Sequence, residues 1–429
     1  MIILPGTKKT LKIIETLKTS EERWGFSKNK IAFSALSFLF LLEICFFSGY
    51  YYSLRKLSRK EPLKPFLGTE KVEATPPAKP EVAAAETESV VETQASPPSS
   101  SSGQAPLTHA NTFPTWGTPN NKFGMYINAS AAQVGEVAPL VNSNGGDWGW
   151  VLVPMDVRQR DPGLWQSIFE ACKAHHIKPL VQLFNNNTCD LNEIDFPGLA
   201  GFFNELSWPT KHLYISVFNE VNAKDYWCEK LAPEEYAVVL NTAIDSFKSV
   251  NSNFFLMPAG FNSSCRSGPR YLDEEDFLLR MNAAVPGIFG KLDGWATHAY
   301  PQPEFSGDFY NPPSWYGVRD QIENYKWEMG LLQRHFGVSG LPIFITETGW
   351  AHSEGSMPKK EYKHSSVTAR YFDDAYRNHW LPVNQIVAIL PFVWYKTDAP
   401  NFNWKRDDGS FYSQYDVVMG FPKVAGTND

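Results

Sequence analysis

The sequence predicts an α/β fold, a TIM-type (β/α)8 barrel of about 310 residues over positions 121–429, and three observations predict it. Beyond Lys122, short β-branched and aromatic runs alternate with helical patterns without a break. There are eight such runs, and no G-x-G-x-x-G turn follows the first, as an open dinucleotide-binding sheet would require. The expected strands are 123–128, 148–155, 178–184, 212–220, 254–260, 292–300, 342–350 and 388–395. The expected helices between them are 131–142, 163–176, 199–206, 233–250, 274–289, 317–336 and 367–380. An eighth helix can only be a short one near the end, because 396–416 reads as loop. The stretch 233–250 shows the logic: Pro233 suits a first turn, and Tyr236, Val239, Leu240, Ala243, Ile244 and Phe247 share one face.

Ahead of the barrel the chain changes character twice. Residues 1–30 are polar and basic, and 31–52 (IAFSALSFLFLLEICFFSGYYY) carry Glu43 as their single charge. As a helix that run measures roughly 33 Å, enough to span a bilayer. The long leading segment and the lack of an A-x-A-like site favour an uncleaved anchor over a signal peptide. Residues 53–120 are rich in Pro, Ala, Glu, Ser and Thr and too poor in apolar side chains to offset their ordering entropy, so they read as a disordered linker. Residues 1–72 carry a formal charge of +7 and the remainder −14, and an acidic main body argues against a nucleic-acid partner. Basic residues flank both ends of 31–52, so charge does not orient it. The expectation of a single-pass membrane protein with its barrel outside the cytoplasm rests on function.

Function is read from the strand ends, because in a barrel these converge on one face. The polar residues there are Asn128, Asp156, Asn185, Asn219, Glu220, His298, Tyr300, Glu347 and Trp394. Glu220 closes the expected fourth strand and Glu347 the seventh, 127 residues later. A lone strand-end glutamate is unspecific, since it also caps helices or pairs with a cation. Two carboxylates on strands four and seven, with His-x-Tyr on six and Trp on eight, are what glycoside hydrolysis needs: one acid to protonate the leaving oxygen, one carboxylate to attack the anomeric carbon. The 14 Trp and 18 Tyr supply ring faces on which sugars stack, although most of them belong to a large core. Trp150, Trp208, Tyr226, Trp227, Trp315, Tyr316, Trp350, Phe402 and Trp404 are the rings at or near strand ends and loops.

Asn219-Glu220 and Glu347, together with His298-x-Tyr300 and Trp394, resemble clan A of the retaining (β/α)8 glycoside hydrolases, which includes cellulases, mannanases and β-xylosidases. The resemblance spans 123–395. It implies Glu220 as acid/base, Glu347 as nucleophile, Asn219 on the sugar 2-hydroxyl, Tyr300 orienting the nucleophile, His298 lining the subsite and Trp394 beneath the sugar. Asn128 and Trp350 are further candidate substrate contacts. One departure is visible: many members carry an arginine late in strand two, whereas here Arg158 and Arg160 come slightly after it.

Five cysteines add a compartment hint, with Cys189 and Cys228 in neighbouring loops as the first candidate bridge and buried thiols the other possibility. No metal-ligand spacing is present and no cofactor is expected, because two carboxylates suffice. The expected partner is a β-linked polysaccharide or oligosaccharide. A transglycosidase with the same dyad, or a noncatalytic carbohydrate receptor, stays open.

Overall fold

The computed structural model describes residues 119–185, 194–308, 310 and 317–429. The expected anchor at 31–52, the linker up to 118, the rings Trp315 and Tyr316, and Cys189 with its expected bridge to Cys228 lie outside these residues. Among the described residues no helix is long and apolar enough to cross a membrane.

Eight parallel strands are described: β1 Gly124–Tyr126, β2 Gly149–Asp156, β3 Ile177–Phe184, β4 Leu213–Asn219, β5 Phe254–Gly260, β6 Trp295–Ala299, β7 Ile343–Thr348 and β8 Ile386–Pro391. They pair in sequence order as β1 to β5 and as β6 to β8. Two seams close the ring. Asp293, just ahead of β6, donates its N–H to Leu256 O (3.0 Å) and accepts the Leu256 N–H on Oδ2 (2.8 Å). Phe123 bridges Ile389 of β8, and the Ile389 N–H donates to Lys122 O (2.8 Å). The result is the expected barrel.

Eight α-helices accompany the strands among the described residues: α1 Ala131–Val141, α2 Pro162–Ala174, α3 Phe196–Glu205, α4 Pro233–Val250, α5 Glu274–Ala284, α6 Asn324–Phe336, α7 Ser365–Asp374 and α8 Ser413–Gly420. Their starts are chemically marked. Ser130, Asp161 and Asp195 each accept a backbone N–H at the N-cap of α1, α2 and α3. The expected helix 274–289 stops early because Pro286 follows Val285 and Gly287 sits in the left-handed region at φ 79°. The expected 367–380 is α7 running into a π-helical turn, Ala375–Trp380.

The strands are buried on both faces, and alternate residues supply two cores. Outward side chains such as Val151, Val153, Val181, Ile215 and Val217 pack under the helices. Inward ones, Trp150, Leu152, Leu180, Tyr214, Phe255, Met257 and Phe344, fill the barrel. Trp150 meets Tyr214 (4.8 Å between centroids) and Phe344 (5.5 Å) edge-on, so the interior is a packed ring layer rather than a pore. Gly124 is needed here, since a Cβ would lie 2.7 Å from Leu390 Cδ2 and 2.9 Å from Trp150 Cβ. The chain joins the barrel at its N-terminal end, where Asn120 Nδ2 donates to Val387 O and Lys122 Nζ to Leu381 O and Val383 O.

Candidate active site

At the opposite end, the strand C-termini bring the two glutamates together. β4 finishes on Asn219, and Glu220 turns off it with φ 39°, a left-handed conformation uncommon for a residue with a Cβ. Glu347 is the penultimate residue of β7. Between them stands His298 from β6. Its Nδ1 is 3.2 Å from Glu220 Oε1 and 3.9 Å from Glu347 Oε2, which bounds the separation of those two oxygens at 7.1 Å. Tyr300 donates its hydroxyl to Glu347 Oε2 at 3.0 Å. Asn219 accepts from Gln182 Nε2 of β3 at 2.8 Å, which fixes its carboxamide beside the dyad.

The packing that seats His298 depends on a missing side chain. A Cβ at Gly260, the last residue of β5, would lie 2.2 Å from His298 Cδ2 and 3.0 Å from Thr346 Oγ1. Glycine there lets the imidazole lie flat against β5 and reach both carboxylates. From below, Asn324 of α6 donates to His298 O (3.0 Å) and Thr297 Oγ1 (2.9 Å).

The electrostatics follow from this geometry. Burial alone would lower the His298 pKa, but the charges of Glu347 and Glu220 overcome it and hold the imidazole above its ordinary value. Burial pushes the Glu347 carboxyl up and the Glu220 charge adds to that, while His298 and the Tyr300 hydroxyl oppose it. Burial leads in pushing the Tyr300 phenol well above its usual range, so it remains a donor. Tyr226 is 43% exposed as a residue, and burial of its hydroxyl with the charges of Glu220 and Glu347 pushes that group's pKa well up.

A small cleft opens beside Glu220, lined also by Asn262, Ser263, Ser264, His298, Tyr300, Gln302 and Phe305. Rings flank Tyr300: Phe305 at 5.0 Å and Phe402 at 6.1 Å, with Phe392 against Phe402 (5.6 Å) and Tyr126 (5.0 Å).

Glu220, Glu347, Asn219, His298 and Tyr300 are thus brought together as the sequence predicts. Three other candidates are not. Trp394 is 1% exposed, donates Nε1 to Glu136 Oε2 of α1 (2.7 Å) and packs on Phe411 and Tyr415: its backbone N–H still bonds Tyr126 O at the end of β1 (2.9 Å), but its side chain belongs to the core layer under the helices. Trp350, in the segment after β7, is 2% exposed, donates Nε1 to Gly307 O of the segment after β6 (3.0 Å) and packs its ring against Phe372. Asn128 spends its Nδ2 on Tyr395 O (2.9 Å), tying the end of β1 to the chain after β8. Arg158 pairs with Asp156 and Arg160 with Asp195, and the groups whose charge favours the ionised Glu347 are His298, at 3.9 Å, and Lys396. Sequence reasoning missed Gln182, Phe305 and Phe392; only Phe392 had a signal, as the first residue after β8. No cluster of three or more His, Cys, Asp or Glu among the described residues could hold a metal ion.

No family model matches the chain, and no curated protein does. Solved structures of glycoside hydrolases are similar to it. An endo-β-1,3-glucanase of the GH128 subgroup II from Sorangium cellulosum shares 15% identity over 70% of this chain and 98% of its own, with a TM-score of 0.46. Fungal β-1,4-galactanases match at 11% identity over 70% and 99%, with a TM-score of 0.49. The Pseudomonas stutzeri endoglucanase Cel5A matches at 12% identity over 70% and 94%, with a TM-score of 0.44.

Proposed function

We propose that the chain is a retaining glycosidase that cleaves a β-linked polysaccharide or oligosaccharide by double displacement. The observation that supports it best is the trio of Glu220, His298 and Glu347, in which one imidazole lies within 3.9 Å of a carboxyl oxygen of each glutamate at the open end of the barrel. A bound of 7.1 Å on that oxygen pair admits the ~5–5.5 Å of retaining enzymes and reaches only the low end of the ~6.5–9.5 Å of inverting ones, so the stereochemistry of the first product decides between them. In this reading the Tyr300 hydrogen bond orients Glu347 for attack at the anomeric carbon. Glu220 protonates the departing oxygen, and then, as base, draws a proton from the water that releases the glycosyl-enzyme. Asn219, held by Gln182, is placed to meet the sugar 2-hydroxyl.

The reading is tested by screening residues 108–429 on a glycan panel, then treating the protein with a 2-fluoro-sugar of the glycone found. Mass detection of the adduct on Glu347 is the expected result. An adduct elsewhere, or first products of inverted anomeric configuration, would overturn it. The anchor at 31–52 and the linker at 53–120 put the barrel outside the membrane in this proposal, and protease treatment of intact cells should then degrade the barrel.

A further inference from the structure

We infer that Asn222 is the positioning residue of the acid/base carboxyl: its buried side chain clamps the turn that aims Glu220 into the barrel mouth. This rests on the proposed glycosidase reading. β4 pairs with β5 as far as Asn219 opposite Gly260, and the Glu220 N–H still donates to Gly260 O (2.9 Å). There the chain turns away. Glu220 takes φ 39°, and the Ala223 N–H donates back to Glu220 O (2.8 Å), so Val221 and Asn222 are the two central residues of a tight turn. A left-handed backbone at a residue with a Cβ persists where the surroundings over-determine it.

The Asn222 carboxamide replaces what the turn removes. In a parallel ladder the neighbouring strand meets both the N–H and the C=O of a residue. Beyond the turn, Asn262 in the segment after β5 has lost that neighbour. Instead its N–H donates to Asn222 Oδ1 (3.1 Å) and its C=O accepts from Asn222 Nδ2 (3.1 Å), so one side-chain amide imitates the missing peptide group. The same Nδ2 donates to Leu272 O (3.2 Å), and the Leu272 N–H donates to Asn222 O (2.9 Å), which ties in the segment leading to α5. Asn222 is 0% exposed, and its amide oxygen and both amide hydrogens have backbone partners. These contacts act on Glu220 through the turn. The Glu220 side chain is 15% exposed and meets His298 on one side, so its direction is inherited from the backbone beneath it. In the proposed first step the Glu220 proton passes to the glycosidic oxygen as that oxygen parts from the anomeric carbon and Glu347 bonds to it. A carboxyl let down by its turn fails in that transfer while Glu347 stays in place.

The test is the dependence of kcat/KM on the leaving group, measured on the full-length protein. Dinitrophenyl β-glycosides release a phenolate that departs without a proton; phenyl β-glycosides release one that needs it. Both are offered on glucose, galactose and xylose and on their β-linked disaccharides. In Asn222→Ala the ratio of kcat/KM for phenyl over dinitrophenyl glycoside should fall at least 10-fold, a part of the ~10²–10⁴ that a general acid contributes, and Glu220→Ala should show the same signature in full. Asn222→Asp keeps the volume and the acceptor but cannot donate to Asn262 O and Leu272 O. It should lower the ratio too, and it is the deciding variant if thermal melting shows that the alanine protein does not fold. A residue with a merely structural role would lower both rates together, so a ratio equal to wild type in the folded variants overturns the proposal. A wild-type ratio in Glu220→Ala, or wild-type protein that turns over none of these glycosides while the glycan panel is silent, overturns the glycosidase reading instead, so the two failures are distinguishable.

Discussion

Replacing Tyr300 by Phe removes one hydroxyl and, with it, the 3.0 Å hydrogen bond to Glu347 Oε2. That bond favours the ionised carboxylate, and it works against burial and the Glu220 charge, which both raise the Glu347 pKa. A hydrogen bond to a charged group is worth about 1.5–3 kcal/mol. Its loss removes one of the influences that hold the carboxyl down, so the Glu347 pKa moves further up. The sign is fixed: Glu347 must be ionised to attack, so Tyr300→Phe should carry the acidic limb of kcat/KM to higher pH. On the plateau the same loss of orientation should lower kcat/KM by about 10-fold or more. Turnover of the best substrate from the glycan panel, followed from pH 4 to 9, reads both effects. An acidic limb that stays in place would show that Tyr300 does not govern Glu347, and the assignment of Glu347 as nucleophile would lose its support.

Three further outcomes follow from the packing. Gly260→Ala should destabilise the barrel by about 1–3 kcal/mol and suppress turnover, because the new methyl group meets His298 at 2.2 Å; thermal melting and activity measured together check it. Trp394→Ala should cost about 3–5 kcal/mol in a denaturant titration, with KM nearly unchanged in the folded protein, since the ring is core and not a sugar platform. The fully buried pair Glu274 and Glu328 makes stability fall with pH: burial raises both carboxyls, Glu328 to about 7, so the unfolded chain ionises from about 4.5 while the fold still holds the proton. The loss across that window should be up to roughly 3 kcal/mol, and Glu328→Gln should flatten the urea midpoint between pH 4.5 and 7.

The barrel was legible because its strands are buried on both faces and read as unbroken apolar runs, as in the Leu213–Asn219 strand. The dyad was legible because a carboxylate at the end of such a run has no packing reason to be there. The ring expected beneath the sugar was misplaced because apolar bulk does not say which face a side chain takes. Backbone bonds run on past Pro391, from Phe392 N–H to Thr348 O and from Trp394 N–H to Tyr126 O, yet the Trp394 ring packs in the layer under the helices. Trp350 fails similarly: a large ring after a strand end is as good a filler for the layer beneath α7 as a floor for a ligand. The pocket wall at Asn262, Ser264 and Gln302 carried no signal, since short polar residues in loops are ordinary until the fold sets them side by side.

His298 faces both acids, and its imidazole is held above its ordinary pKa against burial by Glu347 first and Glu220 second. A Glu347→Gln variant made to silence the nucleophile would therefore also withdraw the leading support for a protonated ring, and what it reports would be the loss of two functions on that side of the mouth.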